Sequence, residues 1–316
     1  MKALVTGGAG FIGSHLCEAL LEMGIEVLSV DYRKDLGNIE SIDSKNFEHH
    51  VFDVNDKDDL IAVSKNCDLL FHLASNSDIH ASESNTSVDF KNTLQSTWSV
   101  MEAARVNGIK KVYFSSTSAV YGDNPDVCFS ESMGDIHPIS YYGACKLASE
   151  SIISSYAHMN RMDALIFRAS NVVGPRLTHG VILDFMKKLE KDPKNLEILG
   201  NGLQTKEYVH IDDLIKGVCD FMFRIEQRVN VFNISTESSI NVNFIADTVC
   251  SYLGLDDVKY HYTSEPFGWN GDIPKFRLDI SKARSNGWIF KYDSSDAVKN
   301  TVEHYAKGSS RDYKQA

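Results

Sequence analysis

A glycine-rich turn between a short apolar strand and a helix is the feature that most constrains the fold. Residues 1–6 are predicted to form a strand, the sequence TGGAGFIG follows at 6–13, and residues 14–23 carry apolar side chains at helical spacing. A second apolar strand is predicted at 26–31. Strand, turn, helix and strand in this order form a βαβ unit, whose two strands lie parallel in one sheet.

The alternation of strands and helices continues through the first half of the chain. Further strands are predicted at 68–73, 111–115 and 163–168, and helices at 93–107 and 142–159. Apolar strands that alternate with helices indicate a parallel sheet covered by helices on both faces. The predicted fold class is therefore α/β, with a doubly wound parallel sheet of the Rossmann type.

Beyond residue 170 the alternation becomes irregular, which indicates a second and smaller α/β domain. A short apolar strand at 231–234 is expected to return to the main sheet. We therefore predict a Rossmann domain over residues 1–170, completed by a returning segment at about 207–235. The other segments, 171–206 and 236–316, are predicted to form a partly interleaved C-terminal domain that binds the substrate.

Composition argues against several classes of function. The chain has 43 acidic and 32 basic residues among 316 and no basic cluster, so a nucleic-acid partner is not expected. No apolar run approaches the ~20 residues that cross a bilayer, and the N-terminus lacks a secretory signal. Six singly spaced cysteines without a CxxC pair indicate free thiols in a reducing compartment. We expect a cytoplasmic protein without a membrane partner or a metal site.

The glycine turn predicts a dinucleotide site. Gly8, Gly10 and Gly13 satisfy the pattern GxGxxG, and Gly7 offers the variant GxxGxxG. Because a strand precedes the turn and a helix follows it, the context is the one that dinucleotide binding requires. Glycines allow a close approach of the backbone, and the amides at residues 10–12 would bind the pyrophosphate at the helix N-terminus.

An acidic residue at the end of the second strand selects between the two nicotinamide dinucleotides. Asp31 is expected to accept hydrogen bonds from the adenosine ribose hydroxyls, and its charge would repel a 2′-phosphate. NAD is therefore favoured over NADP, although Arg33 and Lys34 nearby weaken that preference. Asp53, after the strand-like residues 50–52, is predicted to contact the adenine, with a loop-capping role as the alternative.

A tyrosine and a lysine four residues apart supply the candidate chemistry. Tyr142 and Lys146 lie on one face of a predicted helix. A tyrosine with its usual pKa of ~10 is a poor base at neutral pH, but a neighbouring ammonium and a nicotinamide ring would both favour the phenolate. Thr117 follows the strand at 111–115, at the sheet edge where ligands bind, and could hydrogen-bond the same substrate oxygen.

Taken in order along the chain, these motifs resemble the extended short-chain dehydrogenase/reductase family. Within it, they resemble the NAD-dependent nucleotide-sugar epimerase/dehydratase group. The resemblance covers nearly the whole chain and is more specific for the family than for one reaction. The segments that carry it are 6–13, Asp31, 53–54, 72–75, 115–122, 142–146, Arg168, 171–176, 208–213 and 278–284.

The resemblance implies a set of cofactor contacts and an assembly. Asn92 is the candidate for a family asparagine near the cofactor, with Thr93 as the alternative. Family members are commonly homodimers that pair through two helices of each subunit, here 93–107 and 142–159. The residues implied to contact NAD are Gly7, Gly10, Phe11, Ile12, Gly13, Asp31, Arg33, Asp53, Val54, Leu73, Ala74, Ser75, Asn92, Ser115, Tyr142 and Lys146.

The resemblance also implies that the chemistry begins with oxidation at C4 of a nucleotide sugar. Tyr142 would take the 4-hydroxyl proton, Thr117 would share that hydrogen bond, and Lys146 would hold the nicotinamide ribose while hydride moves to NAD. Related 4,6-dehydratases carry an acidic pair after the threonine, and related decarboxylases a glutamate two positions after it, but Ser118 and Ala119 stand here. The absence of these acids favours 4-epimerisation, in which hydride returns to the opposite face of the keto-sugar.

The substrate is expected to be a UDP-hexose or a UDP-N-acetylhexosamine. Lys206 stands where many epimerases have an arginine that contacts the substrate diphosphate, and residues 267–270 lack a second expected arginine. Asn171, Lys206 and Arg277 are the candidate diphosphate contacts, with Arg176 as an alternative to Arg277. Two other functions stay open: a 4-ketoreductase or dehydrogenase that releases reduced cofactor, and a non-catalytic dinucleotide-binding regulator.

Two polar residues at strand ends receive structural interpretations. His72 ends the strand at 68–73, and we expect it to pack in the core or a loop rather than to bind a ligand. Arg168 ends the strand at 163–168, and we expect it to form an ion pair rather than to act in catalysis.

Overall fold

A computed structural model of the chain describes residues 1–76, 81–224, 227–263 and 267–308. The strands are β1 (Lys2–Thr6), β2 (Glu26–Asp31), β3 (Phe47–Val51), β4 (Leu69–His72), β5 (Lys111–Thr117), β6 (Cys128–Phe129), β7 (Asp163–Ala169), β8 (Asn171–Val173), β9 (Asn195–Ile198), β10 (Thr205–Lys206), β11 (Tyr208–His210), β12 (Val229–Ile234), β13 (Ile240–Asn241), β14 (Lys259–Tyr262) and β15 (Arg277–Leu278). The helices are α1 (Phe11–Glu22), α2 (Lys57–Val63), α3 (Ala81–Ser84), α4 (Ser87–Asp89), α5 (Ser96–Asn107), α6 (Tyr141–Asn160), α7 (Val181–Lys191), α8 (Ile211–Phe221), α9 (Val242–Leu253), α10 (Ser281–Ser285) and α11 (Ser294–Lys307).

The main sheet has seven parallel strands in the order β3-β2-β1-β4-β5-β7-β12. The chain builds outward from β1 to β3, then returns to the other side of β1 with β4. Ligands of such sheets bind at the carboxyl ends of the strands where the order reverses, here β1 and β4. The predicted doubly wound Rossmann sheet is confirmed, including the return of the strand at Val229–Ile234.

One continuous apolar layer fills the space between the sheet and helices α2, α5 and α6. Leu4, Leu70 and Val112 contribute from the strands, and Met101 and Ile153 from the helices, all of them fully buried. On the other face, the rings of Phe71 and Tyr113 stack with centroids 4.3 Å apart, and the Tyr113 hydroxyl donates to the Met222 carbonyl. Because successive strand residues face opposite sides, the strands are apolar throughout.

The chain divides into two compact units that interleave in sequence. The first comprises Met1–Val120, Tyr141–Arg168 and Ile215–Phe232, and the second comprises Tyr121–Ser140, Ala169–Leu214 and Asn233–Ala316. These bounds differ from the predicted domains by a few residues at two ends and by more in two places. The segment Tyr121–Ser140 belongs to the second unit, and the returning segment begins at Ile215 rather than near residue 207.

Short strand pairs organise the second unit. β6 pairs with β15, β8 with β11, β9 with β14 and β10 with β13. The first of these pairs explains why residues 121–140 join the second unit, together with a hydrogen bond from the Tyr121 hydroxyl to Asn233. Strands of two to four residues are too short to show a periodic pattern, so sequence periodicity could not locate them.

Candidate active site

The glycine turn after β1 leaves no room for side chains. A Cβ added to Gly13 would lie 2.1 Å from the Gly7 carbonyl oxygen, and one added to Gly7 would lie 2.8 Å from the Ala74 amide nitrogen. Gly7 also has a φ of +74°, which favours glycine. The turn is therefore held closely against the segment after β4.

The amides at the end of the turn lie at the N-terminus of α1. Gly10 is the N-cap in an extended conformation, no side chain caps the helix, and the first turn holds no acidic residue. Phe11 and Ile12 follow at the first two helical positions and are half-buried. An uncapped N-terminus of a 12-residue helix offers N–H donors and a positive dipole end to an anion.

Asp31 lies buried at the end of β2, where it organises the same turn. One carboxylate oxygen accepts a hydrogen bond from the Ala9 amide at 3.2 Å, and the other accepts one from the Arg33 amide at 3.1 Å. The Arg33 guanidinium also pairs with Asp31, with Nε 3.5 Å from the carboxylate. A Cβ on Gly10 would lie 2.8 Å from the guanidinium, so Arg33 covers the turn. Asp31 and Arg33 are therefore ion-paired with each other and both contact the glycine turn.

The segment after β4 forms the opposite wall of the turn. The Leu73 amide donates to the Thr6 carbonyl, and the Ala74 amide donates to the Thr6 hydroxyl at 3.4 Å, before Ser75. His72 is fully buried, with its two ring nitrogens 2.8 Å from the Thr6 hydroxyl and 3.0 Å from the Thr97 hydroxyl. Burial, and secondarily the Lys146 charge, lower the His72 pKa to about 3. The structural role expected for His72 is confirmed.

Asp53 and Val54 lie between β3 and α2. The Asp53 carboxylate accepts hydrogen bonds from the amide and the side chain of Asn55, at 2.9 and 3.0 Å, so it caps its own loop. Val54 is buried in the apolar layer, which leaves only its main chain to face a cofactor. The loop-capping alternative for Asp53 is therefore the role that the structure displays, and an adenine contact stays a prediction.

Asn92 and Thr93 lie in a π-helical turn, Phe90–Gln95, that the sequence pattern did not predict. Thr93 is fully buried, and its carbonyl accepts hydrogen bonds from the hydroxyls of Ser96, Thr97 and Ser149. Asn92 is half-buried, and its side-chain amide has no hydrogen-bond partner among the described residues. Of the two, Asn92 has the side chain available for a ligand.

Tyr142, Lys146 and Thr117 lie together where β5 meets α6. Tyr142 hydrogen-bonds the Thr117 hydroxyl, which also accepts the Ala119 amide at 3.2 Å. Lys146 is almost fully buried, and its ammonium donates to the Ser115 carbonyl at 2.6 Å and lies over the Phe114 and Tyr142 rings. The three residues can hold a substrate hydroxyl and move its proton.

Burial dominates the ionisation of both groups of the pair in this structure, and the phenolate expected beside a nicotinamide ring stays a prediction. Burial raises the pKa of Tyr142 to about 12, although the Thr117 hydrogen bond opposes that rise. Burial also lowers the pKa of Lys146 to about 7, against the charges of Glu150 and Asp89. The Lys146 ammonium is bound to Ser115 rather than to the phenol, so it does not offset the desolvation of Tyr142 by itself.

Behind Lys146, a buried network ties α6 to the sheet. Glu150 receives two hydrogen bonds from Arg168, Nε at 3.0 Å and Nη2 at 2.7 Å, and one from the Ser116 hydroxyl. The ion-pair role expected for Arg168 is confirmed. Glu150 was not predicted, but its spacing could have revealed it, because Tyr142, Lys146 and Glu150 follow at i, i+4 and i+8 on one helix face.

The second unit holds the three predicted diphosphate contacts, and one of them, Lys206, is already ion-paired. Lys206 forms an ion pair with the buried Asp272, and its ammonium lies 4.9 Å above the Trp269 ring. Its charge is therefore compensated in this structure, and a diphosphate contact by Lys206 stays a prediction. The pairing brings together residues 66 positions apart, which no local sequence pattern reveals.

Asn171 and Arg277 occupy neighbouring places in the second unit. The Asn171 side-chain amide donates to the Glu207 carbonyl at 3.2 Å, alongside the pairing of β8 with β11. Arg277 is exposed in β15, and its charge opposes the burial that raises the Glu207 pKa to about 7. A diphosphate contact by either residue stays a prediction. Arg176 lies in a left-handed backbone conformation, with a φ of +66°.

Comparison with known proteins places this site in a family. The model of the NAD dependent epimerase/dehydratase family matches residues 3–235. The chain belongs to the NAD-dependent epimerase/dehydratase family. The resemblance inferred from the motifs is thereby confirmed, and NAD is the cofactor.

Relatives of full length share this architecture. A putative UDP-glucose 4-epimerase of Methanocaldococcus jannaschii is 31% identical over 315 residues, which cover 98% of this chain and 99% of that protein. A crystal structure of a UDP-galactose 4-epimerase is 34% identical with a TM-score of 0.86, covering 97% of this chain and 99% of that one. A UDP-glucuronic acid 4-epimerase from Bacillus cereus, in complex with UDP-glucuronic acid and NAD, is 28% identical with a TM-score of 0.86 and the same coverage.

The residues present fit NAD at the carboxyl edge of the sheet. The close-packed glycine turn with Gly7, Gly10 and Gly13 and the uncapped start of α1 suit its pyrophosphate. Asp31 is positioned at the end of β2, as the recognition of a ribose requires. None of the helices in the described part of the chain combines the length and apolar character that a bilayer crossing requires.

Proposed function

We propose that this protein is an NAD-dependent 4-epimerase of a nucleotide sugar, acting on a UDP-hexose or a UDP-N-acetylhexosamine. The observation that carries the proposal is the cluster of Thr117, Tyr142 and Lys146, with Ser118 and Ala119 where an eliminating enzyme would need acids. The relatives named above are 4-epimerases of UDP sugars, which supports the same reaction type.

The side chains of the cluster divide the work of proton transfer. Tyr142 accepts the proton of the sugar 4-hydroxyl and later returns it, and Thr117 holds the same oxygen through its hydroxyl. Lys146 binds the nicotinamide ribose and, as an ammonium, stabilises the phenolate. Bound NAD would accept a hydride from C4 of the sugar and later return it. The keto-sugar rotates between the two transfers, so the returned hydrogen reaches the opposite face and inverts C4.

The nucleotide diphosphate is proposed to contact the second unit. Asn171 offers an amide and Arg277 an exposed guanidinium, with Arg176 as an alternative. Lys206 contributes only if a phosphate competes with Asp272 for its ammonium. Because a lysine lacks the planar fork of an arginine, we expect weaker geometric selection of the phosphate here.

The reaction is tested by incubating the protein with UDP-galactose and with UDP-N-acetylgalactosamine and separating the products. We expect interconversion with the 4-epimer of one or both substrates, without net formation of NADH. Failure to interconvert any UDP-hexose or UDP-N-acetylhexosamine would overturn the proposal. Stoichiometric release of NADH without an epimer would instead identify a dehydrogenase.

The first prediction concerns the base. Tyr142→Phe removes the hydroxyl that accepts the substrate proton but keeps the ring over Lys146. We expect kcat to fall by roughly 10³-fold or more, the scale of general acid–base catalysis, while NAD stays bound. Tyr141→Phe, at the exposed neighbouring tyrosine, is the matched control and should retain activity. Full activity of Tyr142→Phe would show that another group is the base.

A second prediction concerns assembly and location. We infer a homodimer that pairs through α5 and α6, because these helices expose large apolar side chains, among them Trp98 at 43% and Met159 at 83%. Trp98→Glu should yield a monomer in light scattering, whereas Ile289→Glu, at an exposed apolar residue of the second unit, should not. A dimer that survives Trp98→Glu would exclude this interface. The six free cysteines favour a cytoplasmic location.

A further inference from the structure

A fully buried carboxylate near the catalytic pair has no assigned role. Asp89 ends α4, and one of its oxygens accepts a hydrogen bond from the Asn76 side chain at 2.8 Å. Its other oxygen, Oδ2, is buried and has no hydrogen-bond partner among the described residues. A buried carboxylate oxygen without a partner costs free energy, so its presence calls for a reason other than stability.

The charge of Asp89 acts on residues of α6. Helix α4 packs against α6, and the Asp89 charge acts on Tyr142, Cys145 and Lys146. It raises the pKa of the Tyr142 phenol and of the Cys145 thiol, and it opposes the lowering of the Lys146 pKa, although burial is the largest cause for each of the three groups.

The other charged groups near this pair are compensated or neutral. Glu150 on α6 is held by two hydrogen bonds from Arg168 on β7, so its negative charge is largely offset. His72 on β4 is uncharged at neutral pH, because its pKa is about 3. Two negative charges act on Lys146, those of Glu150 and Asp89. Among the described residues, the hydrogen-bond partner of the Asp89 carboxylate is the neutral amide of Asn76, so no cation offsets its charge.

We propose that Asp89 is a positioning residue for the Tyr142–Lys146 pair, and that its buried negative charge, held in place by Asn76, keeps the Lys146 ammonium charged. The pair carries one positive charge when both groups are protonated and none after it loses one proton. A fixed negative charge stabilises the first form against the second, so Asp89 sets the pH at which the pair releases its proton.

The consequence for activity rests on the proposed function. Asp89→Asn keeps the size of the side chain and an oxygen for Asn76, but it removes the charge. The acidic limb of the pH profile of kcat/KM should then move to lower pH by roughly one unit, as expected when one nearby charge is lost. Asp58→Asn, at an exposed carboxylate of α2, should leave the limb in place. A loss of kcat without movement of the limb would mean a structural role and would overturn the proposal.

A second measurement needs no sugar substrate. The ionisation of Tyr142 is followed by tyrosinate absorbance in the NAD-saturated protein, as the difference between the protein and its Tyr142→Phe variant, since the chain has 13 tyrosines. Asp89→Asn should lower the midpoint of this difference titration by roughly one pH unit. An unchanged midpoint would refute the role of Asp89 even if the protein proves to be an epimerase.

The two measurements, the pH profile of activity and the tyrosinate titration, distinguish a failure of the proposed function from a failure of the role of Asp89. If no nucleotide sugar is epimerised but the tyrosinate midpoint shifts, the proposed function fails and the role of Asp89 stands. If Asp89→Asn does not fold, as judged by its melting transition, Asp89→Glu restores the charge and should restore the wild-type midpoint. A folded Asp89→Glu variant whose midpoint lies well below that of the wild type would contradict the proposal.

Discussion

At the scale of single residues, the site combines one favourable ionic arrangement with one costly one. Arg168 and Glu150 are both buried and form an ion pair with two hydrogen bonds. Lys146 is buried, with aromatic faces beside it, and within the described part of the chain its hydrogen-bond acceptor is a single main-chain carbonyl. A charged group in such surroundings destabilises the folded state, and active sites commonly retain such groups for their chemistry.

The stability cost of Lys146 has a definite dependence on pH. Its folded-state pKa of about 7 lies below the unfolded value, so the unfolded chain binds more protons between these two pH values. The cost is complete below pH ~7 and disappears as the pH rises toward ~10.4. Lys146→Met should therefore raise the free energy of unfolding by on the order of 2 kcal/mol at pH ~6, and by about half of that at pH ~9.

Urea unfolding at the two pH values checks this prediction. Lys65→Met, at an exposed lysine of the same unit, serves as the control and should change stability little at either pH. Activity should be lost in Lys146→Met while stability rises. Equal gains at both pH values, or a loss of stability, would show that burial of the ammonium is not the cause.

At the scale of elements, the turn from β1 into α1 depends on close backbone contacts. A Cβ added to Gly13 would lie 2.1 Å from the carbonyl oxygen of Gly7. That oxygen belongs to the main chain, so it cannot move aside as the end of a flexible side chain can. In helix α6 the geometry depends on sequence spacing instead: Tyr142, Lys146 and Glu150 lie on one face because they are four residues apart.

Gly13→Ala is predicted to damage folding and cofactor binding together. The added methyl group must displace the turn, at a cost of roughly 1–3 kcal/mol in the free energy of unfolding. The amides at the start of α1 lose their alignment, so we expect the dissociation constant of NAD to rise at least about tenfold, or ~1.4 kcal/mol. Thermal unfolding and NAD titration measure the two effects.

A matched glycine controls for the chemistry of the substitution. Gly134 has open space around its added Cβ and a φ outside the left-handed region, so Gly134→Ala should be nearly neutral. If Gly13→Ala bound NAD as tightly as Gly134→Ala, the backbone cradle would not be the pyrophosphate site.

At the scale of the whole molecule, a net charge of -11 opposes the approach of anionic ligands. The diphosphate contacts that we propose are accordingly local donors: the amides at the start of α1 in the first unit, and neutral or cationic groups in the second. Ion pairing with Asp272 compensates the charge of one proposed contact, Lys206. The net negative charge of the protein thus repels an anionic ligand, whereas the proposed local donors attract it.

This opposition gives a prediction for the kinetics of NAD binding. Raising the ionic strength from about 20 mM to about 200 mM screens the repulsion but leaves hydrogen bonds to backbone amides largely intact. The association rate constant of NAD should therefore stay constant or increase, which stopped-flow fluorescence can measure. A fall of about tenfold would show that positive charge steers the cofactor despite the net charge.

Most of the fold and the centre of the site were predictable because their signals are local. The glycine turn, Asp31 at a strand end, and Tyr142 four residues before Lys146 each specify their geometry within a few residues. The short strand pairs of the second unit and the π-helical turn at Phe90–Gln95 were not predictable, because they arise from contacts between distant segments.

The sequence by itself determined a doubly wound sheet, a dinucleotide turn and a tyrosine–lysine pair, since backbone sterics and helix periodicity act over short spans. Only the tertiary structure decided which charges are available. It paired Lys206 with Asp272 and Glu150 with Arg168. It also buried Asp89 in a helix that packs against α6, with one oxygen unpartnered among the described residues. Burial and charge compensation depend on segments far apart in the chain, and they set whether a side chain can act on a substrate.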